Sequence, residues 1–366
     1  MYKIPLLDLR PQWGSQKKEI KNIVSNVIES GNYILGEHVL CFEQEIASYC
    51  GQKYGIGVAN GTDALVLILR ALGIGPGDEV ITSPFTFFAT AEAILHVGAI
   101  PVFADIDEHT FNLDPSSVEE RITSRTKALM PVHIFGQMAD MSRFRELADQ
   151  YGLFVVEDAC QAIGATWAGN GVGHFADAAA FSFFPTKNLG TCGDGGMIVT
   201  NREDLKERLL RLRVHGSEKK YEHLELGWNS RLDEIHAAVL RLRLPHLDSW
   251  NEQRKLLAAR YQDEFRETKL KPPFSHPQAG HVYHLFTVLI EERDRLQHEL
   301  NRIGIGCGVY YPTPLHLQIA MSSLGYQKGD LPVVESISSR CLSLPLYPGM
   351  SINDQEIVIA SIKQIL

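Results

Sequence analysis

No apolar run in this 366-residue sequence approaches the ~18 residues that a membrane-spanning helix needs. The opening "MYKIPLLDLRPQWG" lacks the long apolar region and cleavage site of a secretory signal, so a cytoplasmic protein is expected. Basic residues are outnumbered, 35 Lys and Arg against 44 Asp and Glu. The resulting net charge of −9 argues against a nucleic-acid partner, which calls for a basic stripe. Cysteine is sparse and scattered (Cys41, Cys50, Cys160, Cys192, Cys307, Cys341), with no C-x-x-C and no pairing with histidine at metal-ligand spacing. Reduced, mostly buried thiols are therefore expected, with neither a disulfide framework nor a metal site. Low-complexity tracts and internal repeats are also missing. What remains is an ordinary globular composition, 45% hydrophobic and 22% charged, in a chain long enough for two or three domains.

Short β-rich runs recur from Val80 onward: "EVITS" (79–83), "IPVFADI" (100–106), "KALMPVHI" (127–134), "FVVED" (154–158), "AAAFSFF" (178–184) and "GMIVT" (196–200). Amphipathic stretches such as "DMSRFRELADQYG" (140–152), closed by a glycine, separate several of them. Near-continuous apolar strands alternating with helices predict an α/β fold with a largely parallel sheet, covered on both faces. Residues 231–267 then read as long helix, broken near Pro245, followed by the Pro/Gly-rich "LKPPFSHPQAG" (270–280). A strand-like "YHLFTVLI" and a helical "RDRLQHELNRIG" predict a smaller α+β unit beyond. The expected division is a large domain over 1–250, including the N-terminal helix "QKKEIKNIVSNVIES", and a small domain over 251–366.

In an open α/β sheet, ligands sit beyond the carboxyl ends of the strands. Asp158 closes "FVVED", His133 closes "ALMPVH", and Ser182 and Lys187 lie at or just past the end of "AAAFSFF". Upstream, "ANGTDALVLILRAL" places Gly61, Thr62 and Asp63 at the start of a strongly apolar helix, where exposed N–H groups and the helix dipole suit a phosphate. Singly, each has an ordinary explanation: a helix cap, a surface ion pair, a lysine reaching out to water, a satisfied histidine. The glycine patterns "GNGVG" and "GIGCG" do not fit a dinucleotide fingerprint and read as turns. Together, an amine, a carboxylate and a phosphate cradle in one crevice match the needs of pyridoxal 5'-phosphate. That cofactor takes a lysine for its Schiff base, an acid beside its ring nitrogen, and donors around its phosphate.

The chain also resembles the DegT/DnrJ/EryC1/StrS sugar-nucleotide aminotransferases, a group with the type I fold of pyridoxal-phosphate enzymes. The resemblance runs from "IPLLDLRPQ" and "ESGNYILGEHV" through "NGTDAL", "ITSPFTFFATAEAI", "VEDACQAIGA" and "SFFPTKNLG" to "GWNSRLDEIHAAVLRLRL" and "YYPTPLHLQ". It implies Lys187 as the Schiff-base lysine, Asp158 against the ring nitrogen, Gln161 beside the ring and Phe87 stacked on it. Gly61, Thr62, Asp63 and Ser182 would surround the phosphate, with Asn229 reaching it from the other subunit of a homodimer. Arg231, Tyr310, Tyr311 and His316 fall in segments that meet the sugar nucleotide in relatives. The implied reaction moves an amino group from L-glutamate to a dTDP- or UDP-linked keto hexose. The "NGTDAL" and "GWNSRLDEIHAAVL" segments resemble those of enzymes that aminate C-3. A C-4 enzyme and a non-enzymatic regulatory protein on the same scaffold are the alternatives.

Overall fold

A computed structural model describes residues 3–366. After a short helix at Arg10–Ser15 and two longer ones, α1 (Lys17–Ser30) and α2 (Glu37–Tyr49), the chain builds a seven-stranded sheet. Its strands are β1 (Tyr54–Val58), β2 (Glu79–Thr82), β3 (Ile100–Phe103), β4 (Thr126–Met130), β5 (Phe154–Asp158), β6 (Ala178–Ser182) and β7 (Gly196–Thr200). They lie in the order β1-β7-β6-β5-β4-β2-β3. The five strands from β3 to β6 pair in parallel, while β7 runs antiparallel to both β6 and β1. Six strands therefore point one way, and their carboxyl ends share an edge.

The strands are apolar at nearly every position because both sheet faces are covered. On one face, Ile81, Leu129, Val155, Phe181 and Met197 join a core that includes Phe42, Phe144 and Trp250. Their neighbours Val80, Ala128, Val156, Ala180 and Ile198 face the other way, onto helix α3 (Gly61–Ala71), which buries Leu65, Ile68 and Leu69. Helix α4 (Ala89–His96) follows β2. Helix α5 (Met141–Tyr151) starts where the Asp140 carboxylate accepts the Arg143 N–H at 3.2 Å, and ends at Gly152, whose φ of 67° is left-handed. Strand β1 was not among the sequence expectations. Its "YGIGV" hides two glycines, and a Cβ on Gly55 would lie 2.3 Å from the Glu43 carbonyl oxygen, so the strand depends on close approach by α2.

Helix α6 (Glu234–Arg243) and α7 (Leu247–Phe265) are joined by a 3-10 turn at Leu244–His246 containing Pro245, where the sequence placed its break. α7 runs uninterrupted through residues 250 and 251. Its Leu247 and Trp250 pack in the core of the sheet, and its Ala258, Tyr261 and Phe265 pack in the core of the C-terminal region. There, β8 (Phe286–Leu289) and β9 (Cys341–Leu344) form an antiparallel pair backed by the helices Arg293–Arg302 and Ile352–Ile365. Ile4 bridges to Ile305, tying the beginning of the described chain to this region. All six cysteines are free thiols. Among the described residues, no helix is long and apolar enough to cross a membrane.

Candidate active site

Residues following β1, β2, β5 and β6 meet at the shared carboxyl edge. β1 runs through Ala59, whose N–H donates to Ser230 Oγ at 3.1 Å, into Asn60, whose side chain caps α3 by accepting the Asp63 N–H at 2.8 Å. The first-turn amides of Gly61 and Thr62 have no partner among the described residues. Gly61 is packed so closely that a Cβ there would sit 2.8 Å from Cys160 Sγ and 2.9 Å from Ser182 Cβ. Only glycine brings the helix start to this point, beside the half-buried Ser182 hydroxyl. Two free amides, a hydroxyl and the positive end of an 11-residue helix make an arrangement that suits a phosphate. The Asp63 amide is taken by the Asn60 cap, which leaves Gly61, Thr62 and Ser182 of the expected set with groups open to a phosphate. A capping Asn before Gly-Thr-Asp was the sequence signal for this.

Asp158, 6% exposed, ends β5 with its carboxylate in the cleft. Oδ2 accepts the Thr90 hydroxyl at 2.7 Å and Oδ1 accepts the Cys160 N–H at 3.2 Å. Each oxygen keeps capacity for a further donor. Its neighbour Glu157 faces the opposite side of the sheet and accepts from His133 Nε2 at 3.0 Å, while His133 Nδ1 accepts the Ala139 N–H at 3.2 Å. His133 is thus a buried structural residue. Gln161 is held by the Phe135 N–H on Oε1 (2.9 Å), and its Nε2 donates to the Tyr311 hydroxyl at 3.2 Å. Phe87, 61% exposed, lies one turn before Thr90 on the loop after β2 and offers an open aromatic face.

Lys187 follows β6 by five residues, in a turn fixed by its own N–H to the Phe184 carbonyl at 2.9 Å. Burial pushes its amine below the usual lysine pKa, opposed by the nearby Cys160 and Asp158. Burial also pushes the Cys160 thiol well up, so it stays protonated beside the amine. An amine shifted toward its neutral form is a better nucleophile toward a carbonyl. The cradle, the carboxylate with spare acceptor capacity, the open aromatic face and this amine fit pyridoxal phosphate.

The remaining expected residues separate. Asn229 is exposed, although its neighbour Ser230 is buried. Arg231 is half-buried and makes no hydrogen bond or ion pair among the described residues. Tyr310 and Tyr311 pack edge to face at 5.8 Å, and burial raises the Tyr311 phenol pKa. His316 is fully buried, with Nε2 against Glu335 Oε1 at 3.2 Å, so it braces the C-terminal region and offers no face to a ligand. Asn60, Thr86 and Thr90 were not found from sequence: a lone threonine hydroxyl near a helix start carries no signature, and the capping signal of Asn60 was passed over for the glycine beside it.

The family model described as "DegT/DnrJ/EryC1/StrS aminotransferase family" matches residues 15–363. A "Pleiotropic regulatory protein" of Geobacillus stearothermophilus is 49% identical, covering 99% of this chain and 98% of that protein. The dTDP-3-amino-3,4,6-trideoxy-alpha-D-glucose transaminase of Streptomyces venezuelae is 46% identical over 95% of this chain and 92% of its own. The crystal structure of S. venezuelae DesV in complex with a ketimine intermediate superposes with a TM-score of 0.97 at 45% identity, covering 100% of this chain and 98% of that one. NtdA of Bacillus subtilis with bound cofactor PMP superposes with a TM-score of 0.94 at 34% identity, covering 100% and 85%. On sequence and fold together, this chain belongs to the DegT/DnrJ/EryC1/StrS aminotransferase family.

Proposed function

We propose that this aminotransferase moves an amino group from L-glutamate to C-3 of a dTDP- or UDP-linked 3-keto hexose. The observation that carries the reading is Lys187: a half-buried lysine whose amine has a lowered pKa, beside Asp158, at the carboxyl edge of the sheet. Bound pyridoxal phosphate would supply an electron sink for bonds breaking at the carbon that bears the nitrogen. Gly61, Thr62 and Ser182 would hold its phosphate, Phe87 and Gln161 would flank its ring, and Asp158 would keep the ring nitrogen protonated. Lys187 would anchor the cofactor and then carry protons as base and acid.

Placement of Asn229 and Arg231 supports a homodimer with shared sites. Asn229 is exposed at the base of a projecting hairpin (Ser217–Lys219 and Glu222–His223) that leaves Tyr221 and Leu226 83% and 82% exposed. Large apolar side chains left this exposed on one short segment are the kind that a partner covers. Tyr310, Tyr311 and the half-buried Arg231 would then border the nucleotide sugar. The C-3 position rests on the "NGTDAL" and "GWNSRLDEIHAAVL" segments and on the 3-amino product in the name of the Streptomyces relative. A regulatory role finds support in the name of the Geobacillus relative, but a binding protein has no use for such an amine beside a carboxylate.

The test is to supply glutamate with matched 3-keto and 4-keto sugars linked to dTDP or UDP, and to locate the new amine by NMR. Amination of the 3-keto sugar is expected. Turnover of the 4-keto sugar alone would move the position to C-4, and binding without any turnover would favour the regulatory reading.

A further inference from the structure

Asp158 is clamped by its backbone before its side chain is considered. Its N–H donates to the Pro131 carbonyl, its carbonyl accepts the His133 N–H, both at 3.0 Å, and the next amide pairs with Ala180. What the strand leaves free is the orientation of the carboxylate. Thr90 Oγ1 lies 2.7 Å from Oδ2, and Thr86 Oγ1 lies 2.9 Å from Thr90 Oγ1. All three residues are buried, the threonines at 2% and 1% exposure.

The direction of this chain follows from the chemistry of its end. An ionised carboxylate only accepts, so Thr90 must spend its single proton on Asp158. Thr90 can then only accept from Thr86, and the order is Thr86 to Thr90 to Asp158. The same turn carries Phe87, whose carbonyl accepts the Thr90 N–H at 3.2 Å. One turn therefore sets both the aromatic platform and the plane of the carboxylate.

We infer that Thr90 is a positioning residue for aminotransfer, ordered by Thr86, which holds Asp158 in the orientation that meets the ring nitrogen of pyridoxal phosphate. This inference rests on the proposed role of Asp158. With its hydroxyl proton spent on Asp158, Thr90 acts through the carboxylate. A hydrogen bond to a charged group is the strong kind, so its loss is expected to weaken pyridoxal phosphate binding about ten-fold or more. Loss of Thr86 leaves the Thr90 proton on Asp158, so its effect is smaller.

The experiment compares wild type, Thr90→Val, Thr90→Ser and Thr86→Val. Each is stripped of cofactor and titrated with pyridoxal phosphate, and the visible absorbance of the bound cofactor is followed against pH. Expected results are a Kd raised about ten-fold in Thr90→Val, a pH profile of the absorbance displaced by about one unit, near-complete rescue in Thr90→Ser, and an intermediate Thr86→Val. A Thr90→Val protein with the wild-type Kd and wild-type pH profile overturns the inference. So does a Thr90→Ser protein as impaired as Thr90→Val, which would make the role one of packing. Failure of the wild type itself to take up pyridoxal phosphate would instead refute the reading of the site.

Discussion

Adding one methyl group at Gly61 tests the phosphate cradle more sharply than removing any side chain. In Gly61→Ala the new Cβ meets Cys160 Sγ at 2.8 Å and Ser182 Cβ at 2.9 Å, whereas ordinary contact begins at 3.4 Å. The helix start must therefore retreat by about half an ångström. Overpacking of this kind costs ~1–3 kcal/mol of stability. The larger effect falls on the ligand, because an N–H···O bond of ~2.9 Å stretched by that amount passes the limit of useful geometry. One charge-assisted bond lost corresponds to ~1.5–3 kcal/mol, or a roughly 10- to 150-fold weaker Kd. The assay titrates cofactor-free protein with pyridoxal phosphate and, as a control, with phosphate-free pyridoxal. Gly61→Ala is expected to weaken the first and spare the second. Adding Cys160→Ala removes one of the two clashes and is expected to restore affinity in part, since Ser182 still obstructs. Equal loss for both ligands, or no loss for either, would refute the placement of the phosphate at α3.

Asp158→Asn is expected to take up cofactor yet lose ~2–3 kcal/mol or more of barrier lowering, read as kcat in steady state. Lys187→Ala is expected to fold with the melting temperature of the cofactor-free wild type and to show no multiple turnover. If Asn229 serves the partner's site, Lys187→Ala and Asn229→Ala are each expected to be impaired alone. Subunit exchange between them would recover activity, because one site of the mixed dimer collects neither defect; no recovery after verified exchange places Asn229 in its own site. Burial holds His281 neutral, its pKa pushed down from 6.5 to about 3, and pushes His284 well below 6.5. Both stay unprotonated in the folded state while the unfolded chain takes up protons. Their contribution is complete above pH 6.5 and is lost as pH falls toward the folded values, with a limiting slope of about 2.7 kcal/mol per pH unit. Denaturant midpoints measured from about pH 7 to pH 4.5 check this, and His281→Gln is expected to halve the slope.

Lys187, Asp158 and Ser182 drew the reading because each stands where an apolar run stops, and Gly61 because it opens one; polar chemistry at such a place has few structural uses. The strands from β2 to β7 were legible for the same reason, being apolar on both faces. Strand β1 was not, because its two glycines weaken every local strand signal and its stability comes from α2 and β7. Asn60 escaped notice because the cradle and its cap share one turn, and the glycine drew the reading. The burial of His316 depends on Glu335, a partner supplied by the tertiary fold. The expected boundary at residue 250 falls inside α7, where no proline or glycine interrupts the helix.

The sheet order carries a consequence for how the enzyme is made. β1, the first strand of the sheet, pairs only with β7, the last, so its register is set by contacts between Tyr54–Val58 and Gly196–Thr200. While the chain is being synthesised, those residues wait for about 140 more before their partner emerges, at ~5–20 residues per second. Until then α3 has an apolar face of leucines and isoleucines but only part of the sheet to cover it. Long-range closure of this kind is slow, and it leaves sticky surface open to misassociation. The cradle at Gly61 is thus encoded early and completed late. A nascent chain stalled before Gly196 would hold every residue of the cradle, yet β1 would have no neighbour to align it.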